Sequence, residues 1–429
     1  MPNNPALNAS HEDIGSGPNA PEADKTRSIH ALEASNFFLA DVQTGLGPFL
    51  AAYLAGEGWN PGRIGVALTV GGVITVLLQT PAGGMVDRIR SKRSILIAGS
   101  AVLAAGAILL SWSAAPWPVY SAQVMIGGAA PFLAPTLAAI TMGIVGNQLF
   151  DRQFGRNQSF NSAGNVACAL LIAAISHFLG NRAIFIAAAL LTVPTVASVL
   201  WIRSEDIDYD SARGGFRQVN QQKEKAESII QTVLGDRTLL IFLVCAFFFH
   251  FANAAMLPEL GEMLSKGHRE SAAPFMSACV VVTQAVIMCS AAFLGRYANQ
   301  HGRKPLLLIG FGVLPIRALL YTLTSSTAAL IGIQFLDGVA NAIFGVVSIL
   351  VVADCTRGTG RFNLAQGALA TAVGLGASLS NTFGGKLVQY FSFRLSFLGL
   401  GAVAAIAVLL LWFGVPETLK HDVQDQPGT

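Results

Sequence analysis

Twelve apolar stretches, each long enough to cross a bilayer as a helix, fill most of this 429-residue chain. They fall near 30–55, 61–86, 94–113, 117–147, 157–180, 182–202, 238–260, 272–295, 305–324, 327–354, 363–390 and 394–415. About 20 apolar residues in a helix span the ~30 Å hydrocarbon core. A chain of such segments has only two ways to satisfy its backbone in lipid, helices or a closed barrel, and the segment lengths choose helices. Composition agrees: 12% of residues are charged, against about 25% in soluble domains.

The connectors divide the cations unevenly. If both ends of the chain are cytoplasmic, 20 of the 27 Lys and Arg lie in cytoplasmic segments. Arg63, Arg182, Lys266, Arg269 and Arg394 lie on the opposite side, and Arg317 and Lys386 fall within spans. This alternation is the positive-inside pattern of a twelve-span protein with both ends inside. One connector, 203–236, is long and separates six spans from six. Its later part, Phe216 to Leu234, has the composition of an amphipathic surface helix. The expected organisation is a cytoplasmic tail over 1–28, a first bundle over 29–202, the linker 203–236, a second bundle over 237–416 and a tail over 417–429. Both tails are polar and read as disordered, and no signal peptide is visible.

Several function classes drop out. There is no GxxxxGK[ST] phosphate loop, so the sequence offers no ATP-driven step. No HExxH or paired-carboxylate constellation suggests an enzyme, and no cofactor or metal motif is present. Cys168, Cys245, Cys279, Cys289 and Cys355 stand singly in apolar surroundings and read as packing residues. The basic residues are scattered between spans rather than gathered on one face, which excludes a nucleic-acid partner.

The two halves resemble each other. Gly83-Gly84-Met85-Val86-Asp87-Arg88-Ile89-Arg90-Ser91-Lys92 follows the second span, and Gly295-Arg296-Tyr297-Ala298-Asn299-Gln300-His301-Gly302-Arg303-Lys304 follows the eighth, 212 residues on. Gln123 precedes Gly127 in the fourth span as Gln334 precedes Gly338 in the tenth, and Pro48 matches Pro258. Three matches in order near one offset mark an internal repeat. The pattern G-x-x-x-D/N-R-x-G-R-R/K between spans two and three, repeated between eight and nine, resembles the signature of the major facilitator superfamily. The second copy, with Gly295, Asn299, Gly302, Arg303 and Lys304, is the closer match. The first keeps Gly83, Asp87, Arg88 and Lys92 but has Arg90 and Ser91 where Gly and Arg are usual.

That resemblance implies an all-α membrane protein of two pseudo-symmetric six-helix bundles, a solute site between them and transport by rocking of the halves. It also implies a latch, in which Asp87 accepts hydrogen bonds at a helix N-terminus of the other half, while Asn299 keeps the hydrogen bonding without the charge. Such a protein binds a small solute and the lipid bilayer, with protons as the expected driving ion, and needs no second copy.

Asp41, well inside the first span, is the leading candidate for coupling. A mid-membrane carboxylate costs roughly 2.5–3.5 kcal/mol on insertion scales and is functional by default. Its role is proton carrier, counter-ion to a cationic solute or a helix-packing partner. The other candidates for a shared cavity are Gln43, Gln79, Gln123, Asn161, Asn165, His250, Asn253, Gln284, Asp337 and Asn381. His250 and Asn253 share a helix face, and His250 matches Ala40, the neighbour of Asp41, at an offset of 210. Two features of proton-coupled members are missing: Gln123 stands where Arg is common, and the fifth span lacks a Gly-Pro pair. The cavity candidates are rich in amides and poor in cations. That composition points to proton-coupled export of an organic solute, with import of a metabolite and a non-transporting sensor as alternatives.

Overall fold

The computed structural model describes residues 25–44, 46–212, 235–267, 272–356 and 362–419. The first six-helix unit comprises α1 (Thr26–Thr44), α2 (Leu46–Gly56), α3 (Pro61–Arg88), α4 (Lys92–Trp112), α5 (Pro116–Leu179) and α6 (Arg182–Trp201). A short α7 (Tyr209–Ala212) opens the linker. The second unit comprises α8 (Arg237–Asn253), α9 (Met256–Gly267), α10 (Ala272–His301), α11 (Arg303–Leu323), α12 (Thr327–Cys355), α13 (Phe362–Tyr390) and α14 (Phe393–Gly414). Among the described residues, ten helical stretches are long and apolar enough to cross a membrane. The pair α1–α2 and the Gly- and Ser-rich α13 complete twelve passes.

Local chemistry sets the helix ends. Asn60 caps α3 by accepting the Arg63 N–H at 2.8 Å, with Pro61 in the first turn. Asp236 accepts from the Thr238 and Leu239 N–H groups to start α8. Gly146 takes φ +70°, a conformation that favours glycine, and bends α5 into two arms, Pro116–Gly146 and Gln148–Leu179. The sequence reading places a loop before residue 157. The helix instead resumes at Gln148, because Gln153 and Asn157 find buried hydrogen-bond partners one turn apart and need no water.

The first span of the second half is broken at Ala254–Ala255, between α8 and α9. At this break the Ala255 N–H is satisfied by Ser380 Oγ of α13 at 3.0 Å.

Two boundaries differ from the sequence reading. α1 starts at Thr26, inside the stretch read as a tail. Ser28 is fully buried there and donates to Asp206 Oδ2 at 2.5 Å. At the other end, Glu417 and Thr418 bond to the second unit. Residues 1–24, 213–234 and 420–429, with the remainder of both tails and the amphipathic stretch of the linker, lie outside the described residues.

Each half has its own core. One joins Leu32, Leu96, Leu103, Leu133 and Ile140, and the other joins Phe242, Phe249, Phe311, Phe344 and Leu411. A third cluster crosses between halves, with Phe49, Cys168 and Ile172 against Met256, Leu260 and Met276. The seam between α3 and α13 is made of small residues. A Cβ at Gly65 would stand 2.1 Å from the Asn381 carbonyl oxygen, and one at Gly385 2.4 Å from that of Pro61. Thr69 Oγ1 donates to the Ser378 carbonyl at 2.6 Å and accepts from Thr382 Oγ1 at 2.7 Å. Without a hydrophobic drive between helices in lipid, close small-residue packing of this kind holds them together. The crossing contacts gather toward the end away from the chain termini. Outward-facing Leu190, Val193, Leu319, Phe335 and Phe413 are exposed, and Trp112 packs on Trp117 at a helix end. This apolar surface with aromatic ends is a lipid belt.

Candidate functional site

A cavity of about 540 Å³ lies among α1, α3 and the two arms of α5. Its polar lining is Asn36, Thr75, Gln79, Thr141, Asn157, Gln158 and Asn161, and Ala, Pro, Leu and Phe side chains supply the rest. No charged side chain lines it among the described residues. Phe154 and Gln158, toward the terminus-bearing end, are exposed. Asn36 donates to the Leu32 carbonyl at 2.9 Å, and Asn161 donates to the Asn36 carbonyl at 3.4 Å. The wall therefore presents neutral hydrogen-bonding groups.

Behind it stands a carboxylate that the sequence reading does not single out. Glu33 of α1 is 2% exposed, accepts from Gln153 Nε2 at 3.1 Å and pairs with Arg156 at 2.9 Å. Gln153 bonds Asn157, and Asn157 donates to Thr141 Oγ1 at 2.9 Å. The buried acid thus braces two cavity residues. The spacing of Glu33 and Asn36, one turn apart on α1, is its only sequence signal.

Of the sequence candidates, Gln79 and Asn161 line the cavity. Asn165 is one turn from Asn161 and donates to its Oδ1 at 3.4 Å. Gln123 is 7% exposed and packs on α3, where a Cβ at Gly71 would meet its Oε1 at 2.3 Å. Asn381 sits at the α3–α13 seam and donates to the Ala377 carbonyl at 3.1 Å. Gln284 is half-buried on α10. The side chains of Asp41, Gln43 and Asp87 lie outside the described residues.

Asn253 and Asp337 belong to a separate network in the second half. Arg317, fully buried, bonds Asp337 Oδ1 at 2.5 Å, Tyr321 Oη at 2.8 Å and Asn253 Oδ1. Asp337 also accepts from Thr283 Oγ1 at 3.2 Å and Asn341 Nδ2 at 2.9 Å. Tyr321 Oη accepts from Gln334 at 2.7 Å. An intramembrane Arg with no helix end nearby demands an acid, so Arg317 was the sequence clue to this pairing. His250 is half-buried beside the network, its Nδ1 3.2 Å from the Ala246 carbonyl and its ring 4.6 Å from Phe344.

The repeated loops occupy the terminus-bearing end. Lys92 is fully buried and its Nζ donates to the Val86 carbonyl at the end of α3. In the second half Arg303, one residue before the aligned Lys304, donates to the Ala298 carbonyl at 2.7 Å and to Asn299 at 2.8 Å, and pairs with Asp354 at 3.1 Å. Both cations satisfy carbonyls that a helix end leaves open. Gly302 takes φ +97°. Glu417 then caps α11, accepting from the Arg303 and Lys304 N–H groups at 2.9 and 3.0 Å. Partial burial opposes the Glu417 charge, but these backbone donors and the Leu419 N–H prevail and hold its carboxyl below the usual range. Lys304 Nζ reaches the Trp412 carbonyl at 2.7 Å. Gly83 and Gly84 have open space around them, Gly295 nearly so, and Arg88 is exposed.

Two related six-helix units packed against each other, the first holding a solute-sized cavity among its own helices, define a multi-pass membrane transporter. The chain belongs to the Major Facilitator Superfamily, whose sequence profile matches residues 33–314 and 275–428. It is 40% identical over 399 residues to the uncharacterised MFS-type transporter Rv2456c of Mycobacterium tuberculosis, covering 93% of this chain and 95% of that one. It is 34% identical over 152 residues to the multidrug resistance protein MdtG of Salmonella typhimurium, covering 34% and 37%. Among solved structures, the nucleoside transporter NupG superposes with a TM-score of 0.73 at 14% identity, covering 90% of this chain and 98% of that one. A POT family transporter superposes with a TM-score of 0.71 at 12% identity, covering 90% and 95%.

Proposed function

We propose that this protein exports a small, largely neutral organic solute across a bacterial inner membrane, driven by protons returning down their gradient. The observation that carries the reading is the neutral, amide-lined cavity of about 540 Å³ at the terminus-bearing end. Its volume is in the range of drug-sized sites. The cation bias of the connectors assigns that end to the cytoplasm, so the cavity loads from inside. An importer of anions would want Arg or Lys in the wall. The partial likeness to MdtG, a multidrug resistance protein, supports the same direction.

Asp41 is the proposed proton carrier, on the depth of its place in the first span. One proton crossing 100 mV supplies about 2.3 kcal/mol, equivalent to roughly fifty-fold accumulation. The test is growth of a host stripped of its own efflux pumps, carrying the native chain or an equally expressed Asp41→Asn variant, on a broad panel of toxic compounds. Protection by the native chain and none by the variant is expected. Sensitisation would reverse the direction. Protection by both would remove Asp41 from coupling, and protection by neither would defeat the export reading.

A further inference from the structure

Asn253 and Asn341 lie on different helices, α8 and α12, and meet with Asn253 Nδ2 3.5 Å from Asn341 Oδ1. Both side chains keep part of their surface accessible. Their orientation follows from chemistry rather than from a choice of amide rotamer. Arg317 can only donate, so the Asn253 atom it bonds must be the carbonyl oxygen. Asn341 directs its other end at two pure acceptors, Asp337 Oδ1 and the Asp337 carbonyl, both at 2.9 Å, so that end must be the NH2. The buried ion pair therefore turns the two amides in opposite senses. Asn253 is left offering N–H and Asn341 is left offering C=O, side by side. Their mutual contact stands at the outer limit of a hydrogen bond and is weak.

An edge-to-face aromatic pair, its planes 74° apart, flanks the two amides. His250 is one turn before Asn253 on α8, Phe344 is one turn after Asn341 on α12, and their rings lie 4.6 Å apart.

We propose that Asn253 and Asn341 form a recognition site for a neutral solute with an adjacent acceptor and donor, such as a lactam or a carboxamide. The solute C=O accepts from Asn253 Nδ2, and its N–H donates to Asn341 Oδ1. Arg317 and Asp337 are positioning residues, buried behind the amides and fixing which atom each presents. The site deepens the transporter reading by naming a solute class, and rests on that reading only for what binding there accomplishes.

The test is binding of 2-quinolone, a lactam, and of N-methyl-2-quinolone, which lacks the N–H, to the full-length protein in lipid nanodiscs. Leaving Asn341 Oδ1 without its donor is expected to weaken the N-methyl compound by about tenfold to a hundredfold. In Asn341→Ala, which leaves the ion pair in place, the two compounds should bind alike, both weakly. Equal affinities for the native protein, no binding of 2-quinolone, or discrimination that survives in Asn341→Ala would each overturn the proposal. The ligand pair needs no variant, so a folding defect in Asn341→Ala does not blunt the first comparison. Binding is measured without transport. A chain that discriminates the lactams but changes no growth phenotype would keep this site and lose the export reading, and the reverse result would do the opposite.

Discussion

The two halves of this transporter share a plan but use their polar residues differently. In the first half the amides and hydroxyls of α1, α3 and α5 face an open cavity, and the one buried carboxylate described there, Glu33, is tied to exposed Arg156 at the rim. In the second half Arg317, Asp337, Tyr321 and Gln334 are bound to one another and buried. Only Asn253 and Asn341 reach the accessible side. Pseudo-symmetry of backbone thus coexists with a division of labour: one half supplies volume, and the other supplies fixed polarity. Paired loops at the terminus-bearing end show the same divergence. Gly302 adopts a left-handed conformation that lets Glu417 reach the start of α11. Its counterpart in the first half, near Arg90 and Ser91, has no left-handed residue, and Ser91 makes no cap of its own on α4.

The sharpest way to break this comparison is the ion pair. Removing one member leaves a buried charge alone, so Asp337→Ala or Arg317→Ala should lower stability by about 3–5 kcal/mol. The double change Arg317→Met with Asp337→Leu should recover most of it, measured by thermal unfolding in nanodiscs. If the single variants are as stable as the native chain, the second half is not held by this network.

A smaller effect is expected at the loops. Gly302→Ala forces a left-handed residue and places its Cβ 2.5 Å from Glu417 Oε2. It should cost about 1–2 kcal/mol, while Ser91→Ala should stay within about 0.5 kcal/mol. Equal effects would show that the two loops are alike after all.

Asn161→Ala sharpens the contrast from the other side. Asn161 sits in an open wall, so stability should change by no more than about 0.5 kcal/mol, while uptake into inverted vesicles of any compound found by the growth panel falls. A large stability loss would place Asn161 in the structural framework instead.

The smallest effect concerns Glu417. Its carboxyl is held low in the folded protein, so its cap contributes in full above the ordinary carboxylate range and is lost as pH falls through the lowered folded value. Stability of the native chain should therefore decline with acid more steeply than that of Glu417→Gln. Parallel acid profiles would mean that the cap carries no net charge-dependent energy.

Much of the fold was legible. Apolar length marked the spans, and the repeat offset marked the two related halves. Less of the site was. Gln79 and Asn161 were readable as amides deep in a span, but the same rule also named Gln123 and Asn381, which pack between helices. Glu33 was not singled out, because its burial depends on Gln153 and Arg156, 120 or more residues away. Asn253 and Asp337 were readable as polar residues at depth, and Arg317 within a span called for an acid, but which acid and which amide it meets depends on helix packing.

The sequence by itself determined the number of passes, the twofold repeat and the cation bias, because each follows from local transfer energies and short-range order that do not depend on which helices meet. Tertiary structure alone decided which polar groups face a cavity and which face each other. A side chain on a helix points to one sector only, and whether that sector holds solute or Arg317 is set by helix packing across long separations in the chain.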